Sequence, residues 1–271
     1  MKMVQKLGFG ANAVVFQVER YEHAQFSEFK TQKQYYALKV IQKSKIKCCK
    51  QSIDQIKEEI RTHRALSQCE SALKLHKVYE TANKLYLLLD YLDGGNLSTF
   101  LRKRDNIKES NIKSIIEQLL LGIHFMHQQN IVHRDLKLDN ILLKSNKNGK
   151  YEIRIADFGL ATQLKQGEHR YDKCGTPTYI APEILRDGEL TLKSDLFSLG
   201  SIMFNLCTGQ YLFDLAECKK LIIINQICDL SHIPEKIKHL SQMCQDLIFK
   251  LLNTDPEQRI DCQQALNHQW F

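Results

Sequence analysis

Two short runs in this 271-residue chain carry the side chains that could do chemistry. The first is His133-Arg134-Asp135-Leu136-Lys137-Leu138-Asp139-Asn140. The second is Asp157-Phe158-Gly159, beginning twenty-two positions beyond Asp135. Moving a phosphoryl group onto a hydroxyl requires an acceptor for the hydroxyl proton, and oxygens that hold Mg²⁺ on nucleotide phosphates. Asp135 can serve the first need, and Asn140 and Asp157 the second. An Asp-Phe-Gly turn alone means little, and the plain alternative is an acidic surface loop plus an ordinary turn. The two runs in this order, at this spacing, weigh against that alternative.

Side chains so far apart in sequence need elements to bring them together. The chain reads as β-rich first and helical later. Residues 4–7 and 13–20 flank a glycine-containing turn, 35–42 are apolar and β-prone, and 84–90 form another strand candidate. Residues 21–34 are polar and read as a long turn. Residues 52–67 have a helical pattern, with Ile53, Ile56, Ile60, His63 and Leu66 near one stripe. After Asp93-Gly94-Gly95 the patterns become helical. Residues 110–129 place Ile112, Ile115, Ile116, Leu119, Leu120, Ile123 and Met126 at helix spacing, and 192–208, 219–229 and 241–253 read as further helices. The glycine pair is the best boundary. A hinge just before it divides the chain into 1–92 and 93–271.

Composition narrows the classes. A chain 43% hydrophobic and 25% charged is ordinary for a globular protein large enough to bury a sizeable core. No apolar run approaches a membrane span, and Met1-Lys2-Met3 is not followed by a signal-peptide core. The nine cysteines include adjacent Cys48 and Cys49 and no pair two residues apart, which fits reduced thiols in the cytoplasm or nucleus better than a disulfide or zinc framework. Residues 1–92 hold 16 Lys/Arg against 9 Asp/Glu, while 93–271 hold 22 of each. The basic first third has a cluster at Lys43, Lys45, Lys47 and Lys50. It is read as a solvated loop in preference to a docking site for an acidic tail or phosphate, the alternative that would seat a regulatory partner there. No aromatic residues interleave with these charges, so a nucleic-acid partner is not expected.

The eight-residue run resembles the catalytic loop of eukaryotic protein kinases, and Asp157-Phe158-Gly159 resembles their metal-binding turn. The resemblance covers almost the whole chain. It implies an α+β, two-lobed fold: a small antiparallel sheet lobe with one helix, 1–92, expected to bind nucleotide, then a larger, mainly helical lobe, 93–271, expected to carry catalysis and substrate binding. It also implies ATP and Mg²⁺ as cofactors. Leu7-Gly8-Phe9-Gly10-Ala11-Asn12-Ala13-Val14-Val15 is similar to the kinase glycine-rich loop, with Ala13 in place of the third glycine. Tyr36-Ala37-Leu38-Lys39-Val40 is similar to the strand whose lysine contacts the α- and β-phosphates. Lys39 needs a carboxylate partner. Glu59 is preferred over Glu58, because Glu59 shares its side of the helix with Ile60 and His63, whereas Glu58 would turn Thr62 inward. The adenine site implied is Leu7, Val15, Ala37 and Leu142, with hinge backbone groups from Asp90 to Leu92 and Leu89 as gatekeeper.

By the same resemblance Asp135 is the catalytic base, Lys137 stabilises the transferred group, and Asn140 and Asp157 hold Mg²⁺. Lys137 and the segment Cys174-Gly175-Thr176-Pro177-Thr178-Tyr179-Ile180-Ala181-Pro182-Glu183 look like the serine/threonine class, and Leu160 leans toward serine acceptors. Val78-Tyr79-Glu80-Thr81 and Tyr91-Leu92-Asp93-Gly94-Gly95 look like calmodulin-dependent-type kinases, and His63 with Cys174-Gly175-Thr176-Pro177 also resembles polo-like ones. Thr176 is expected to bond toward Asp135 and Lys137, Glu183 to pair with Arg259, and Asp195 to anchor the catalytic-loop backbone. Phe197 stands where the family usually has Trp. By the same resemblance Asp172 occupies a position often filled by a phosphorylated threonine, so it is expected to supply an anion to Arg134, with an exposed loop aspartate as the alternative. Tyr171 and Thr162 are candidate modification sites. Asp139 fits a preference for basic substrates, although Asn96 and Asn205 stand where two further acids would be expected. The chain ends at Trp270-Phe271 without an autoinhibitory tail, calcium loop or calmodulin-binding helix, so a minimal protein or an excised catalytic domain is expected. The function implied is transfer of the γ-phosphoryl of Mg-ATP to serine or threonine of protein substrates. The alternatives are a catalytically weak pseudokinase scaffold, which Ala13 alone favours, and a small-molecule phosphotransferase.

Overall fold

A computed structural model describes residues 1–9, 13–22, 32–44, 53–103, 107–144, 151–186, 188–213 and 220–271. The chain forms two compact units, residues 1–68 with 73–92, and residues 69–72 with 93–271.

The first unit is built on strands β1 (Lys2–Phe9), β2 (Ala13–Glu22), β3 (Gln32–Gln42), β4 (Leu75–Glu80) and β5 (Lys84–Asp90), paired in the order β1-β2-β3-β5-β4. Every pairing is antiparallel. β3 lies at the centre, and its partner β5 buries Leu85, Leu87, Leu88 and Leu89. Helix α1 (Ile53–Ala65) buries Ile56, Glu59, Thr62 and His63. His63 is a packed side chain whose Nε2 bonds the Leu73 carbonyl. Two details depart from the sequence reading. Ile53 is exposed, and Thr62 is buried, because α1 turns a wider face inward than the apolar stripe marks.

The second unit is mainly helical. Its long helix α3 (Glu109–Gln128) follows the short α2 (Leu97–Arg102) and buries all seven apolar residues of its stripe. Glu109, in the first turn of α3, accepts hydrogen bonds from the Ser241 amide (3.1 Å) and from Trp270 Nε1 (2.8 Å), tying the chain's last residues to the start of that helix. Four short strands follow: β6 (Ile131–Val132) pairs with β9 (Thr162–Gln163), and β7 (Ile141–Lys144) with β8 (Glu152–Ile155). Then come α4 (Pro182–Leu185), α5 (Lys193–Thr208), α6 (Leu221–Ile227), α7 (Ile233–Ile237), α8 (Gln242–Leu251) and α9 (Cys262–Leu266). α5 is the core element, buried without a break from Ser194 to Leu206. Gly200 lets α8 approach it, since a Cβ there would stand 2.9 Å from Leu251 Cβ. Residues 69–72 join this unit through the Ile155 amide, which donates to Ser71 O at 2.7 Å.

The α+β class with its five-stranded antiparallel sheet and mainly helical remainder agrees with the sequence expectation. Individual elements differ. β4 was not anticipated, because this edge strand half-buries only Leu75 and Val78 and is defined by backbone pairing to β5. β6 and β9, two residues each, and β7 and β8, four each, are too short to show a period. The polar turn expected over 21–34 is partly strand, since β2 runs to Glu22 and β3 begins at Gln32. Of the basic cluster only Lys43 lies within the described residues. It bonds Glu80 Oε1 at 2.5 Å and the Thr81 carbonyl at 2.8 Å.

One buried ion pair fixes the lower packing. Arg259 gives Nη1 to Glu183 Oε1 (2.7 Å) and Nη2 to Glu183 Oε2 (2.8 Å), and its remaining N–H groups reach Asn253 O (2.8 Å) and Lys193 O (2.9 Å). Phe197 lies under the guanidinium at 5.1 Å. Removing one partner leaves a buried charge without its counter-ion. Arg259→Met is therefore expected to cost about 3–5 kcal/mol in urea unfolding, and adding Glu183→Leu to recover much of it. An Arg259→Met chain as stable as wild type would contradict this.

Candidate active site

The first unit sets a lysine on β3 against a carboxylate on α1. Lys39 Nζ lies 2.6 Å from Glu59 Oε1, and Glu59 is buried. Glu58 is elsewhere, paired with Arg61 Nη1 at 2.8 Å. Thr62 is buried after all, so it does not decide between the two glutamates. The sheet register places Gly8 opposite Val15, and Val15 opposite Lys39, in one row across three strands. Ala37 stands opposite the buried Leu89, and Tyr36 opposite Asp90. Leu7 is exposed on β1 and Leu92 is half-buried. The Asp90 amide is already used, donating to Lys74 O at 3.1 Å, and its carboxylate bonds His76. Gly10 lies outside the described residues. Ala13 opens β2 opposite Ile41. Leu142, on β7, belongs to the second unit.

In the second unit the catalytic-loop run and the Asp-Phe-Gly turn are bound together by backbone. Asp195, on α5, is the organising charge. Its Oδ2 accepts the His133 amide (2.9 Å) and Oδ1 the Arg134 amide (3.1 Å), which holds Arg134 at φ 66°, a left-handed conformation costly for a side chain of this size. A third donor is His127 Nε2, 3.1 Å from Oδ2. Burial by itself would push the Asp195 carboxyl up. The His127 hydrogen bond, the neighbouring His127 and His133 rings and the His133 amide outweigh it and hold the group below the usual carboxylate range. On the other side of the ring, Cys262 Sγ lies 3.5 Å from His127 Nδ1. Burial first, then the charges of Asp195 and Asp261, raise the Cys262 thiol, so it remains an S–H donor.

His133 connects the two runs. Its Nδ1 accepts the Asp135 amide (3.3 Å), and Nε2 donates to the Ala156 carbonyl (3.1 Å). The Ala156 amide in turn donates to Asn140 O at 2.8 Å. Both sides of Ala156 are thus tied to the loop, and Asp157 follows at φ 63° with an exposed side chain. Phe158 is fully buried against the His133 ring, 5.3 Å between centroids.

Donors converge on Asp135. Thr176 Oγ1 reaches Oδ1 at 2.6 Å, and Lys137 Nζ reaches Oδ2 at 2.7 Å. Lys137 Nζ is also 3.0 Å from Thr176 Oγ1. Asn140 Nδ2 donates to Asp135 O (2.8 Å) and Oδ2 (3.2 Å), which turns the amide oxygen of Asn140 away from the carboxylate. Gly175 permits the close pass: a Cβ there would stand 2.6 Å from Arg134 O, at a φ of 119°. Asp135, Lys137, Asn140 and Thr176 therefore form one cluster within the second unit, and Asp157 follows the Ala156 that is bonded to Asn140 and His133.

Three residues near this cluster escaped sequence reasoning. His127 and Cys262 extend the Asp195 network, and Arg170, inside the 157–183 segment, joins Thr162 to Asp172. His127 falls one place past the last apolar residue of the α3 stripe, while nothing local marks Cys262 or Arg170. Other expectations resolve differently. Asn96 caps α2, accepting the Thr99 amide at 2.9 Å, and Asn205 is buried with Nδ2 on Gln210 O, so both serve local structure. Asp139 is exposed. Thr162 is buried with its hydroxyl on Arg170, which removes it as an accessible modification site, whereas Tyr171 is exposed.

Comparison with known proteins gives a consistent placement. The family model described as "Protein kinase domain" matches residues 1–271. The serine/threonine-protein kinase DCLK3 of Homo sapiens is 35% identical over 241 residues, covering 88% of this chain and 36% of that protein. The serine/threonine-protein kinase PLK4 of Drosophila grimshawi is 34% identical over 238 residues, covering 87% of this chain and 30% of that protein. PLK4 of Xenopus tropicalis is 35% identical over 218 residues, 80% of this chain and 22% of that protein. The chain thus spans about a third or less of the length of the relatives it matches.

Asp195 gives a pH test. A carboxyl held below its ordinary value stabilises the fold fully above about pH 4, and that stabilisation is lost as pH falls further toward the folded value. Asp195→Asn is expected to cost about 2–3 kcal/mol at neutral pH. In urea unfolding across a pH series, its deficit relative to wild type should stay constant from pH 6 to 8 and shrink below about pH 4. A deficit that grows in acid would contradict the assignment.

Proposed function

The chain belongs to the protein kinase domain family, serine/threonine class, and from that premise we propose that it transfers the γ-phosphoryl group of Mg-ATP to serine or threonine hydroxyls of protein substrates. The observation that carries this reading is the Asp135 cluster: one carboxylate held by Thr176, Lys137 and Asn140, on a loop tied to the residue before Asp157.

The residues present fit the cofactors. Asn140 spends Nδ2 on Asp135, so the group it offers a cation is an oxygen, and Asp157 adds an exposed carboxylate; oxygen donors of this kind suit Mg²⁺. Lys39, oriented by buried Glu59, offers an ammonium for phosphate oxygens. Leu7, Gly8, Val15, Ala37, Leu89 and Leu142, with backbone from Asp90 to Leu92, are assigned to the nucleotide, and Gly10 joins them by sequence. When bound, ATP would supply the phosphoryl group, with ADP as the leaving group, and Mg²⁺ would neutralise charge on the phosphate oxygens.

The remaining work belongs to the chain. Asp135 accepts the proton of the attacking hydroxyl at a carboxylate oxygen. Thr176 fixes the orientation of that carboxylate, and Lys137, within reach of both, provides positive charge beside the reacting oxygens. The substrates are proteins, and the 174–183 segment is assigned to docking them. We place the protein in the cytoplasm or nucleus, a reading supported by the unpaired Cys69, Cys174, Cys207, Cys228, Cys244 and Cys262. Among the described residues no helix is long and apolar enough to cross a membrane.

A peptide array with γ-labelled ATP tests activity and maps preference together. Wild type should label Ser/Thr peptides and Asp157→Ala should not. A folded wild type that transfers nothing would favour the scaffold alternative. Asp135→Asn is expected to lower kcat by about 10²–10⁴-fold. Glu59→Gln should lower kcat/KM for ATP by roughly tenfold or more, the scale of a lost charge-assisted bond, while Glu58→Gln leaves it unchanged. Equal effects at the two glutamates would overturn the pairing.

A further inference from the structure

Five successive carbonyls in the 174–183 segment each accept a hydrogen bond, and one side chain serves two of them. The Thr176 carbonyl accepts the amides of Tyr179 (2.9 Å) and Ile180 (3.1 Å), which closes a turn over residues 176–180. The next four carbonyls accept side chains. Ser201 Oγ, on α5, donates to Thr178 O at 3.2 Å, and Ser198 Oγ, on the same helix, donates to Tyr179 O at 2.8 Å. Asn225, on α6, takes the outer two. Its Nδ2 donates to Pro177 O at 2.7 Å and to Ile180 O at 2.8 Å. Because both partners are carbonyls, the nitrogen of the amide must face them, and both of its N–H groups are used.

Asn225 is buried, and its Oδ1 has no hydrogen-bond partner among the described residues. An apolar side chain of the same shape would fill that place without leaving a buried acceptor unmatched. What offsets this cost is the pair of bonds from Nδ2, and both go to the 176–180 turn. Helix α6 is itself tied down. Gln226 Nε2 donates to Leu185 O (3.3 Å), while Arg186 gives Nε to Gln226 O (2.7 Å) and Nη2 to Ile227 O (3.0 Å). An anchored helix thus carries a two-armed donor that braces both sides of the turn. The turn begins at Thr176, whose hydroxyl bonds Asp135 Oδ1, so its place is fixed relative to that carboxylate.

We propose that Asn225 is a positioning residue for protein substrates: its amide, bonded to Pro177 O and Ile180 O, holds the 176–180 turn in the shape against which a substrate chain docks, with Ser198 and Ser201 holding the two residues between. This rests on the kinase reading above. Being buried, Asn225 acts on a substrate only through the turn. Without its amide two carbonyls lose their donor and the turn loses its outer braces, while the two serines still attach it to α5. The loss therefore falls on peptide binding and is graded.

The test measures phosphorylation of a peptide that wild type labels, using the full chain and the variants Asn225→Leu, Ser198→Ala and Ser201→Ala. Asn225→Leu should raise KM for the peptide about tenfold and leave KM for ATP unchanged. Each serine variant removes one donor and should raise peptide KM by about two- to threefold. Hydrogen exchange at the Tyr179 and Ile180 amides should quicken in Asn225→Leu. A merely structural role would shrink the folded fraction, lowering kcat with both KM values unchanged; that result overturns the proposal, as does a wild-type peptide KM in Asn225→Leu. If Asn225→Leu does not fold, the serine variants decide, and an unchanged peptide KM in both overturns it. Should folded wild type transfer phosphate to no peptide, the kinase reading fails; faster exchange at the two amides in Asn225→Leu then still supports the brace, and equal exchange overturns that as well.

Discussion

One buried carboxylate sets the backbone on which the candidate chemistry stands. Asp195 is enclosed by α5 and its neighbours, and a charge so enclosed persists only when donors saturate it. Two of its three donors are the successive amides of His133 and Arg134, so saturating the charge also fixes the path of the loop. The left-handed turn at Arg134 follows from this. So does the direction of Asp135, and through the His133 ring and the Asn140 carbonyl so does the placement of Ala156 and the turn after it. His127, steadied by Cys262, completes the shell from α3 and α9.

Three ion pairs show how burial sorts roles. Glu183 with Arg259 is buried at both ends and satisfied on almost every hydrogen-bonding group, so it fixes packing. Lys39 with Glu59 is buried on the carboxylate side and more open on the ammonium side, an arrangement that orients a cation while leaving it able to meet a ligand. Arg134 with Asp172 has an exposed carboxylate, and its strength changes with salt and with nearby charge. The same chemistry thus gives a fixed strut, an aimed donor and an adjustable tie.

Much of this was legible in the sequence because the relevant signals are contiguous. The catalytic-loop run, the Asp-Phe-Gly turn and the Cys174-to-Glu183 segment each carry their geometry in neighbouring residues, and the α3 stripe from Ile112 to Met126 repeats over about four turns. Asp195, Thr176 and Glu59 could be paired with partners because the family resemblance supplied long-range contacts that local pattern does not. Where neither source spoke, the reading failed. β4 exists through backbone bonds to β5, and its side chains show no period. Thr62 is buried by the breadth of the face α1 presents. Cys262 lies more than a hundred residues from His127 in sequence, and Arg170 looks like any loop arginine until Thr162 and Asp172 are seen around it.

The proposed function requires the chain to bind a magnesium–nucleotide complex. Isothermal titration of ATP into the intact chain, with Mg²⁺ and again with EDTA, measures this without any substrate protein. A saturable one-to-one heat with a dissociation constant of about 1 μM–1 mM, weakened at least roughly tenfold by EDTA, is the predicted result. No saturable binding by the folded protein, or binding indifferent to Mg²⁺, would contradict it.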